Sequence, residues 1–473
     1  MAYTYSIDTK AYVLNEFFHK NLSEGRFLVT TMHGGWAILS EEEFRKLRHG
    51  QVEDDIQLYN LLRQEGIILV EDDSDRIAGN YRNKYQQIYQ GTTLHIMTPT
   101  LRCNQKCIYC YANSRPEGAK EYDMTKDTAK AIIDFAMQCP SDSITIELQG
   151  GEPLLNFDTI KFIIKYANEQ KKKKNKNVEF RLVTNLTQMT DEKLDFILKN
   201  KIGLNSSLDG PKHVHDHNRK YDSGKGTYDD VVYWIKRLQE KGAGISCMPT
   251  ITRYSLPYWK EIVDEYRRLG LNRFWARRLN IGGEATKNWK AIGYSHEEFL
   301  DFWKKCLEYI LELNKSGEKM VEGAVDIVAR NMIFSKSYCN FVCMASPCGC
   351  AWSQVSYDYA GNIYTCDEAR GFEEFILGNV KETTYKELYT SQKVMDLVCL
   401  STGMSFDCAT CVYHPFCGPC IVDNYGENGN IIQRPNSFNC LVKKGQLDYI
   451  FGDIIPNKEK FEIVKEWVGL KRN

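Results

Sequence analysis

The sequence predicts an α/β chain in three parts: a small β/α module, a parallel sheet built from βαβ units, and a cysteine-rich C-terminal module. Three observations predict it. Strand-like and helical stretches alternate from Thr93 onward, metal-ligating residues do not cluster before residue 90, and 12 of the 17 cysteines lie beyond residue 300. A chain of 473 residues is long enough for about three domains. Its 61 Lys and Arg balance 62 Asp and Glu, so no global charge argues for nucleic acid or an anionic membrane. The first residues lack the basic-then-apolar pattern of a secretory signal, and no apolar run is long enough to span a bilayer. A cytoplasmic chain is therefore expected. The cytosol keeps thiols reduced, so its cysteines read as metal ligands.

Within residues 1–90, Phe27-Leu-Val-Thr-Thr31 and Trp36-Ala-Ile-Leu39 flank Gly34-Gly35 and predict a hairpin. Ser40-Glu-Glu-Glu43 is a capping box for a helix with Phe44 and Leu47 on one face. A second helix is expected over Ile56–Gln64, and a strand over Gly66–Val70. Hairpin, two helices and strand in this order resemble a small winged-helix module. Glu71-Asp-Asp-Ser-Asp75 and Gly79-Asn-Tyr81 read as a polar linker.

From residue 91 to 315 the strand candidates are Thr93–Met97, Ile144–Leu148, Val178–Thr184, Ile202–Ser207, Ile245–Ile251 and Arg273–Ala276. Helices are expected over Lys126–Met137, Phe157–Lys172, Asp191–Asn200, Asp229–Lys241 and Tyr258–Leu269, with another after His296. This alternation argues for a parallel sheet of βαβ units. The run Lys171-Lys-Lys-Lys-Asn-Lys176 reads as a solvated helix end matched to the helix dipole.

After the first strand come Cys103, Cys107 and Cys110, in a C-x3-C-x2-C spacing with Tyr109 before the last cysteine. Thiolates suit soft metals and iron–sulfur clusters. Three cysteines rather than four leave one iron of a 4Fe–4S cluster open, as a catalytic metal site keeps a position free. The motif resembles the signature of the radical S-adenosylmethionine (SAM) superfamily. That resemblance implies a partial (β/α)6 TIM-like barrel, with SAM chelated by the open iron and cleaved to a 5′-deoxyadenosyl radical. Active sites of such barrels gather at the C-terminal ends of the strands. Gln149-Gly150-Gly151-Glu152-Pro153 follows the second strand and resembles the family's GGE motif, which holds the amino group of SAM. Its glycines are expected to let backbone approach a ligand, and its carboxylate to accept from an ammonium. Asn185 after the third strand, with Ser207 and Asp209 after the fourth, are expected to bond the ribose of SAM, with Tyr109 beside the cofactor.

The run Ser207 to Arg219, with His213, His215 and His217 alternating, reads as a polar substrate-facing loop rather than a zinc site. Arg277 or Arg278 is expected to pair with a carboxylate of SAM or of a peptide.

A bridging region, 316–345, leads to the second cysteine group. Cys348-x12-Gly361-x4-Cys366, then Cys408-x2-Cys411-x5-Cys417-x2-Cys420 and Cys440, resemble the SPASM domain with its two auxiliary 4Fe–4S clusters. Two residues separate Cys417 from Cys420, where the family pattern has three. C-x2-C pairs also build zinc ribbons. The resemblance assigns Cys408, Cys411, Cys417 and Cys440 to one cluster and Cys348, Cys366 and Cys420 to the other. For its fourth ligand Cys339, Cys343 and Cys350 are candidates, with Cys343 favoured. The domain is placed at 346–445, followed by a helical tail over 446–473. Cys139, Cys247, Cys306 and Cys399 read as buried, inert thiols.

Asp367 follows Cys366; in sulfatase-maturing relatives an Asp at this position takes the substrate proton, which makes it the expected general base. The whole resembles maturases of ribosomally synthesised peptides, including His-Xaa-Ser-type and thioether-forming ones. It implies three clusters and SAM, a precursor peptide whose leader the N-terminal module binds as an added strand, and a flavodoxin- or ferredoxin-type electron donor. The expected reaction is an intramolecular thioether link. Alternatives are carbon–carbon or carbon–oxygen cross-linking, formylglycine formation in a sulfatase, and a non-catalytic iron–sulfur electron-transfer scaffold.

Overall fold

The computed structural model describes residues 4–5, 12–333, 342–403, 405–432 and 435–470. At the N-terminus, β1 (Thr4–Tyr5), β2 (Tyr12–Leu14) and the later β6 (Ile68–Leu69) form one antiparallel sheet. A second sheet runs β3 (Phe18–Asn21), β4 (Arg26–Thr30), β5 (Trp36–Ser40). The expected hairpin joins β4 to β5. Its Gly35 has no alternative, because a Cβ there would lie 1.9 Å from the Glu65 carbonyl oxygen. Helix α1 (Glu41–His49) starts with the expected Ser40–Glu43 capping box, and α2 (Ile56–Gln64) is capped by Asp55. Along β4 alternate residues face opposite ways: Val29 enters the module's own core with Phe44, Leu47 and Leu62, whereas Leu28 joins the main core.

Glu71–Asp75 and Gly79–Tyr81, expected to be a polar linker, lie in a short turn and the helix α3 (Ser74–Lys84), which α4 (Gln86–Gln90) follows. The polar residues are paired rather than solvated. Buried Asp73 accepts from the Val70 amide at 3.0 Å and pairs with Arg63 and Arg76 at 3.2 and 2.9 Å. It therefore closes the turn before α3 and ties α3 to α2.

The barrel begins with β7 (Leu94–Thr100); β8 (Arg102–Cys103) and β9 (Arg115–Pro116) lie in the cysteine loop. Then come α5 (Lys126–Ala136), β10 (Ser143–Gly150), α6 (Phe157–Lys174), β11 (Asn177–Val183), α7 (Asp191–Lys199) and β12 (Gly203–Ser207). The next units are α8 (Lys212–Asn218), α9 (Tyr228–Glu240), β13 (Ile245–Met248), α10 (Trp259–Arg268) and β14 (Arg273–Phe274). Strands β7, β10, β11, β12 and β13 lie side by side and parallel. Ile144, Ile146 and Leu148 of β10 are buried toward α5 and α6, leaving Thr145, Glu147 and Gln149 on the opposite, more open face. The sixth strand departs from expectation. β14 pairs with β15 (Val321–Glu322) and reaches β13's continuation only through a bridge between Thr250 and Arg277. Pro249, which has no N–H to donate, ends the regular ladder of β13 there.

Helices α11 (Gly283–Ile292), α12 (His296–Lys315) and α13 (Gly323–Ile333) lead toward the cysteine-rich module. Its strand β16 (Gln354–Tyr357) pairs parallel with the free side of β7. β17 (Asn362–Tyr364) and β18 (Ile376–Asn379) continue antiparallel, so one eight-stranded sheet runs from barrel to module. The edge of the first barrel strand is thereby covered. After it follow α14 (Tyr385–Tyr389), α15 (Gln392–Leu400), α16 (Phe406–Ala409), α17 (Ile421–Asn428), α18 (Phe438–Tyr449) and α19 (Lys458–Trp467). The N-terminal module docks here: Thr30 donates to the Val412 carbonyl at 2.7 Å, Trp36 donates to that of Met332 at 3.3 Å, and Lys20 pairs with Asp448. Among the described residues no helix is long and apolar enough to cross a membrane.

His95 joins β7 to β16, with its ring between the Tyr357 hydroxyl at 2.8 Å and the Thr92 carbonyl at 3.1 Å. Burial pushes its imidazole down to about 4. The unfolded chain takes up this proton near pH 6.5 and the folded one only near 4. Stability from the neutral ring is therefore complete above 6.5 and falls as pH drops toward 4, by about 1.4 kcal/mol per unit. Denaturant titrations between pH 6.5 and 4.5 should show a shallower decline for His95→Gln than for the unchanged chain; equal slopes would contradict this.

Candidate active site and metal centres

Cys103, Cys107 and Cys110 come from one loop at the end of β7. Arg102 anchors the loop through a bidentate pair with Asp123, both contacts 2.8 Å, and bonds to the Glu117 and Leu155 carbonyls. The thiols are close enough to repel one another as thiolates. Burial first, then that repulsion, pushes Cys103 and Cys107 up, Cys107 to about 12. Thiols so raised hold charge only against a cation, and three cysteines on one loop are the donor chemistry of an iron–sulfur centre. Arg219 supplies part of that charge, with its guanidinium 3.8 Å from the Cys107 sulfur.

The Gly150-Gly151 pair packs against the cysteine loop. A Cβ on Gly150 would meet the Thr100 carbonyl oxygen at 2.3 Å, and one on Gly151 the Arg102 carbonyl oxygen at 2.2 Å. What approaches this turn closely is the cysteine loop itself, through Gly151 N–H to Thr100 O at 3.1 Å and Glu152 N–H to Arg102 O at 2.7 Å. Glu152, expected to meet an ammonium, is fully buried. Its carboxylate accepts from the Leu154 amide, the Thr184 hydroxyl and the Asn185 amide at 3.0, 2.7 and 2.7 Å. A buried carboxylate needs such donors, and these lock β11's end to the turn. The Asn185 side-chain amide donates to Asn104 Oδ1 at 3.1 Å and reaches the Cys103 sulfur at 3.8 Å. Ser207 is the half-buried last residue of β12.

Asp209, expected to contact ribose, is instead a buried hub. It accepts from the Tyr109 hydroxyl at 2.5 Å, Asn218 at 3.1 Å, Arg219 at 3.2 Å and the Thr250 amide at 3.1 Å. Arg219 in turn lies 5.2 Å from the Tyr109 ring centre. The polar loop expected around His213, His215 and His217 is the helix α8. His215 is buried, bonded to the Asp209 amide and the Thr227 hydroxyl; His213 lies 3.7 Å from Glu261, and His217 stacks on Tyr254 at 3.8 Å. Apolar Val214 beside His215 is the sequence signal for a helix turned inward. Arg219 carried no signal beyond its place at the end of that run.

Asp367 stands where barrel and cysteine-rich module meet. The Tyr111 hydroxyl donates to its carboxylate at 3.0 Å. Arg370, three residues on, bonds Thr98 of β7 and Gln149 of β10, so the Asp367 segment is tied to the open face of the sheet. Glu147 on that face is raised by burial and, in lesser part, by the charge of Asp367. Arg277 and Arg278, expected to meet an external carboxylate, are already paired: Arg277 with Glu368 at 2.7 Å, and Arg278 with Asp423.

Two further thiol groups form in the C-terminal module. Cys408, Cys411, Cys417 and Cys440 lie within mutual electrostatic reach; burial first, then that repulsion, raises Cys411 and lifts Cys417 to about 11. Cys348, Cys366 and Cys420 form the other group, together with Cys343 and Cys350. Cys339 lies outside the described residues. Ser405 and Ser437 cap the turns presenting Cys408 and Cys440, and Cys420 itself caps α17. Lys443, which sequence reasoning missed, lies between the two groups. Burial alone would lower its ammonium; the thiolates of Cys417, Cys420 and Cys348 outweigh that and hold it above the ordinary lysine value. Both donor sets fit iron–sulfur centres. Of the remaining thiols, Cys139, Cys247 and Cys306 are buried as expected, but Cys399 is exposed, because α15 buries Val394 and Leu397 on its other face.

Two family models match: the radical SAM superfamily over residues 97–261 and the SPASM iron–sulfur cluster-binding domain over residues 348–420. An uncharacterised protein of Methanocaldococcus jannaschii, MJ0907, is 33% identical over 36% of this chain, which spans only 56% of that protein. The cysteine-type anaerobic sulfatase-maturating enzyme of Clostridium perfringens is 24% identical over 75% of this chain and 94% of its own. AlbA of Bacillus subtilis, an antilisterial bacteriocin subtilosin biosynthesis protein, is 24% identical over 71% of this chain and 68% of its own. Among solved structures, anSMEcpe with bound AdoMet and the Cp18Cys peptide superposes with a TM-score of 0.67 at 19% identity, covering 77% of this chain and 98% of that one. Streptococcus suis SuiB bound to its precursor peptide SuiA superposes with a TM-score of 0.57 at 15% identity, covering 90% and 99%.

Two substitutions test this geometry. Gly151→Ala forces the turn away from the cysteine loop, so the reconstituted chain should lose one cluster's share of iron; full iron would contradict the close approach. Lys443→Met removes a cation shared by both C-terminal groups, so their reduction potentials should fall, by on the order of tens of millivolts. Unchanged potentials would show that Lys443 does not face them.

Proposed function

We propose that this chain, which is a radical SAM enzyme carrying a SPASM domain, closes thioether links in a ribosomally synthesised peptide. Its cofactors are SAM and iron–sulfur clusters. The observation that carries the peptide reading is the N-terminal module docked on the cysteine-rich domain through Val412 and on α13 through Met332. The SuiB alignment omits only a tenth of this chain, so it includes part of the first 90 residues. In this reading a leader adds as a strand to an edge of the β3–β4–β5 sheet.

Cys103, Cys107 and Cys110 would hold the SAM-binding cluster, and the turn from Gly150 to Glu152, with Ser207, the SAM molecule. Cys408, Cys411, Cys417 and Cys440 would hold one auxiliary cluster. Cys348, Cys366 and Cys420 would hold the other, with a fourth thiol. When bound, these groups supply the hydrogen-abstracting radical and take up the remaining electron, with reducing equivalents from a flavodoxin- or ferredoxin-type donor. The chain's own residues place the peptide. Glu147, Gln149 and Arg181 line the open face of the sheet against which it lies. Asp367, oriented by Tyr111, accepts the proton of the cysteine thiol as it bonds to carbon. Each link thus removes two hydrogens from the peptide, one as an atom and one as a proton.

A second reading, oxidation of a sulfatase cysteine to formylglycine, is favoured by the superposition with anSMEcpe. Asp367 would then take the proton of that single cysteine. Co-expression with the short cysteine-containing peptide expected beside this gene, followed by intact mass and thiol alkylation, separates the readings. Loss of two hydrogens per link, with thiols inert even after reduction, supports thioether formation. The same loss with reactive thiols points to carbon–carbon or carbon–oxygen links. A hydrazine-reactive aldehyde on a sulfatase-derived peptide, with the first peptide unchanged, supports the second reading. In either case Asp367→Asn should lower product formation by roughly 10²-fold or more while SAM cleavage persists; undiminished product would exclude it as the base.

A further inference from the structure

Two adjacent amide side chains lie inside the first cysteine loop, and only one of them is fully bonded. Asn104 donates from Nδ2 to the Thr187 hydroxyl at 2.8 Å and accepts at Oδ1 from Asn185 at 3.1 Å. Gln105 is 3% exposed, and its Nε2 has no partner among the described residues. A buried N–H left unmade costs more than an average hydrogen bond returns, so a native fold seldom leaves one without a purpose.

The backbone sets which way that amide faces. Gln105 forms an antiparallel bridge with Tyr221, and the Lys106 and Ile108 amides donate to Lys220 O and Asn218 O at 2.8 and 3.1 Å. Side chains alternate along such an extended stretch, so Gln105 and Cys107 share a face while Lys106 between them is exposed. The distances agree. The Gln105 main-chain N–H donates to the Cys103 sulfur at 3.4 Å, and its side-chain Oε1 accepts from the Cys107 thiol at 3.7 Å. One residue thus touches two of the loop's thiols.

The side-chain contact lasts only while the Cys107 sulfur carries a proton. A thiolate bound to iron has none to give, and Oε1 would then face a sulfur that is also an acceptor. Turning the amide by half a revolution about its last torsion exchanges Oε1 for Nε2 and moves nothing else. The unpartnered N–H then meets the sulfur.

We propose that the Gln105 side-chain amide donates a hydrogen bond to the Cys107 sulfur when the loop holds its cluster, and thereby raises that cluster's reduction potential. The inference rests on reading Cys103, Cys107 and Cys110 as a 4Fe–4S site. A donor on a ligand sulfur draws off negative charge, which favours the reduced state. Arg219, 3.8 Å from the same sulfur, acts in the same sense from the end of α8. Gln105 is a positioning residue: it eases the uptake of the electron on which SAM cleavage depends.

The test uses the full chain, reconstituted anaerobically and followed by electron paramagnetic resonance through a reductive titration. Cys107→Ala identifies the first cluster as the component its titration lacks. Gln105→Met removes the amide at nearly constant length. Gln105→Glu keeps the shape and puts an acceptor oxygen in place of the donor nitrogen. Both variants should match the unchanged chain in iron and sulfide. The first cluster's midpoint should shift to lower potential in Gln105→Met and lower still in Gln105→Glu in alkaline buffer, while the C-terminal components keep theirs. If one variant fails to load, the other carries the test. A midpoint unmoved or raised at full iron overturns the proposal, as does an equal shift of every component. So does loss of the first cluster from both variants, which would make Gln105 a residue of the loop's folding. These readouts need neither SAM nor peptide, so failure here leaves SAM cleavage and the peptide mass shift untouched. A Cys107→Ala chain that lacks no component would instead overturn the cluster reading, and the proposal with it.

Discussion

The buried carboxylate of Asp209 governs the geometry around the cysteine loop. It gathers Tyr109 from that loop, Asn218 and Arg219 from the end of α8, and the Thr250 amide after β13, so three separate chain segments converge on one side chain. Arg219 then points from this hub to the Cys107 sulfur. A buried ion pair adds little net stability, but removing one partner costs about 3–5 kcal/mol, because the other is left buried and unpaired. The same logic recurs in the C-terminal module. Lys443 lies between two groups of thiols, and Arg277 and Arg278 neutralise Glu368 and Asp423 beside Cys420. Thiols that must ionise together in a buried setting require cations placed in advance, and the fold supplies them from outside each cysteine motif.

The continuous sheet gives those centres a common frame. Because β16 pairs with β7, the strand that delivers the first cysteine loop is hydrogen-bonded to the strand that follows Cys348 and Cys350. Arg370 adds a second tie, from the Asp367 segment to Thr98 and Gln149. Asp367, the base of the proposed reaction, is thus positioned relative to the barrel by backbone ladder and side chain together. That is the kind of support that keeps a reacting group within a fraction of an ångström of its partner.

Much of this was legible before any coordinates. Cysteine spacing is a local property, so the C-x3-C-x2-C loop and the C-terminal groups were readable directly, as were the βαβ units whose apolar alternation repeats. What escaped depends on contacts between residues far apart in the chain. Nothing near Glu152 announces that its carboxylate will be taken up by Thr184 and Asn185, or that Gly150 and Gly151 are small enough to admit the cysteine loop. The linker that proved helical was misread because Asp73, Arg63 and Arg76 look solvated in sequence and are paired in space. Arg219 and Lys443 were invisible for the same reason, each being one of 61 Lys and Arg until the thiols it faces are located.

The account stands on the first cysteine loop being a SAM-cleaving centre. The measurement that reaches it most directly is 5′-deoxyadenosine released when the anaerobically reconstituted full chain is reduced with dithionite in the presence of SAM. The account predicts release by the unchanged chain and its loss in Cys107→Ala, which should still retain the iron of the C-terminal groups. A fully iron-loaded, reducible chain that releases none, or a Cys107→Ala variant that releases as much as its parent, would contradict it.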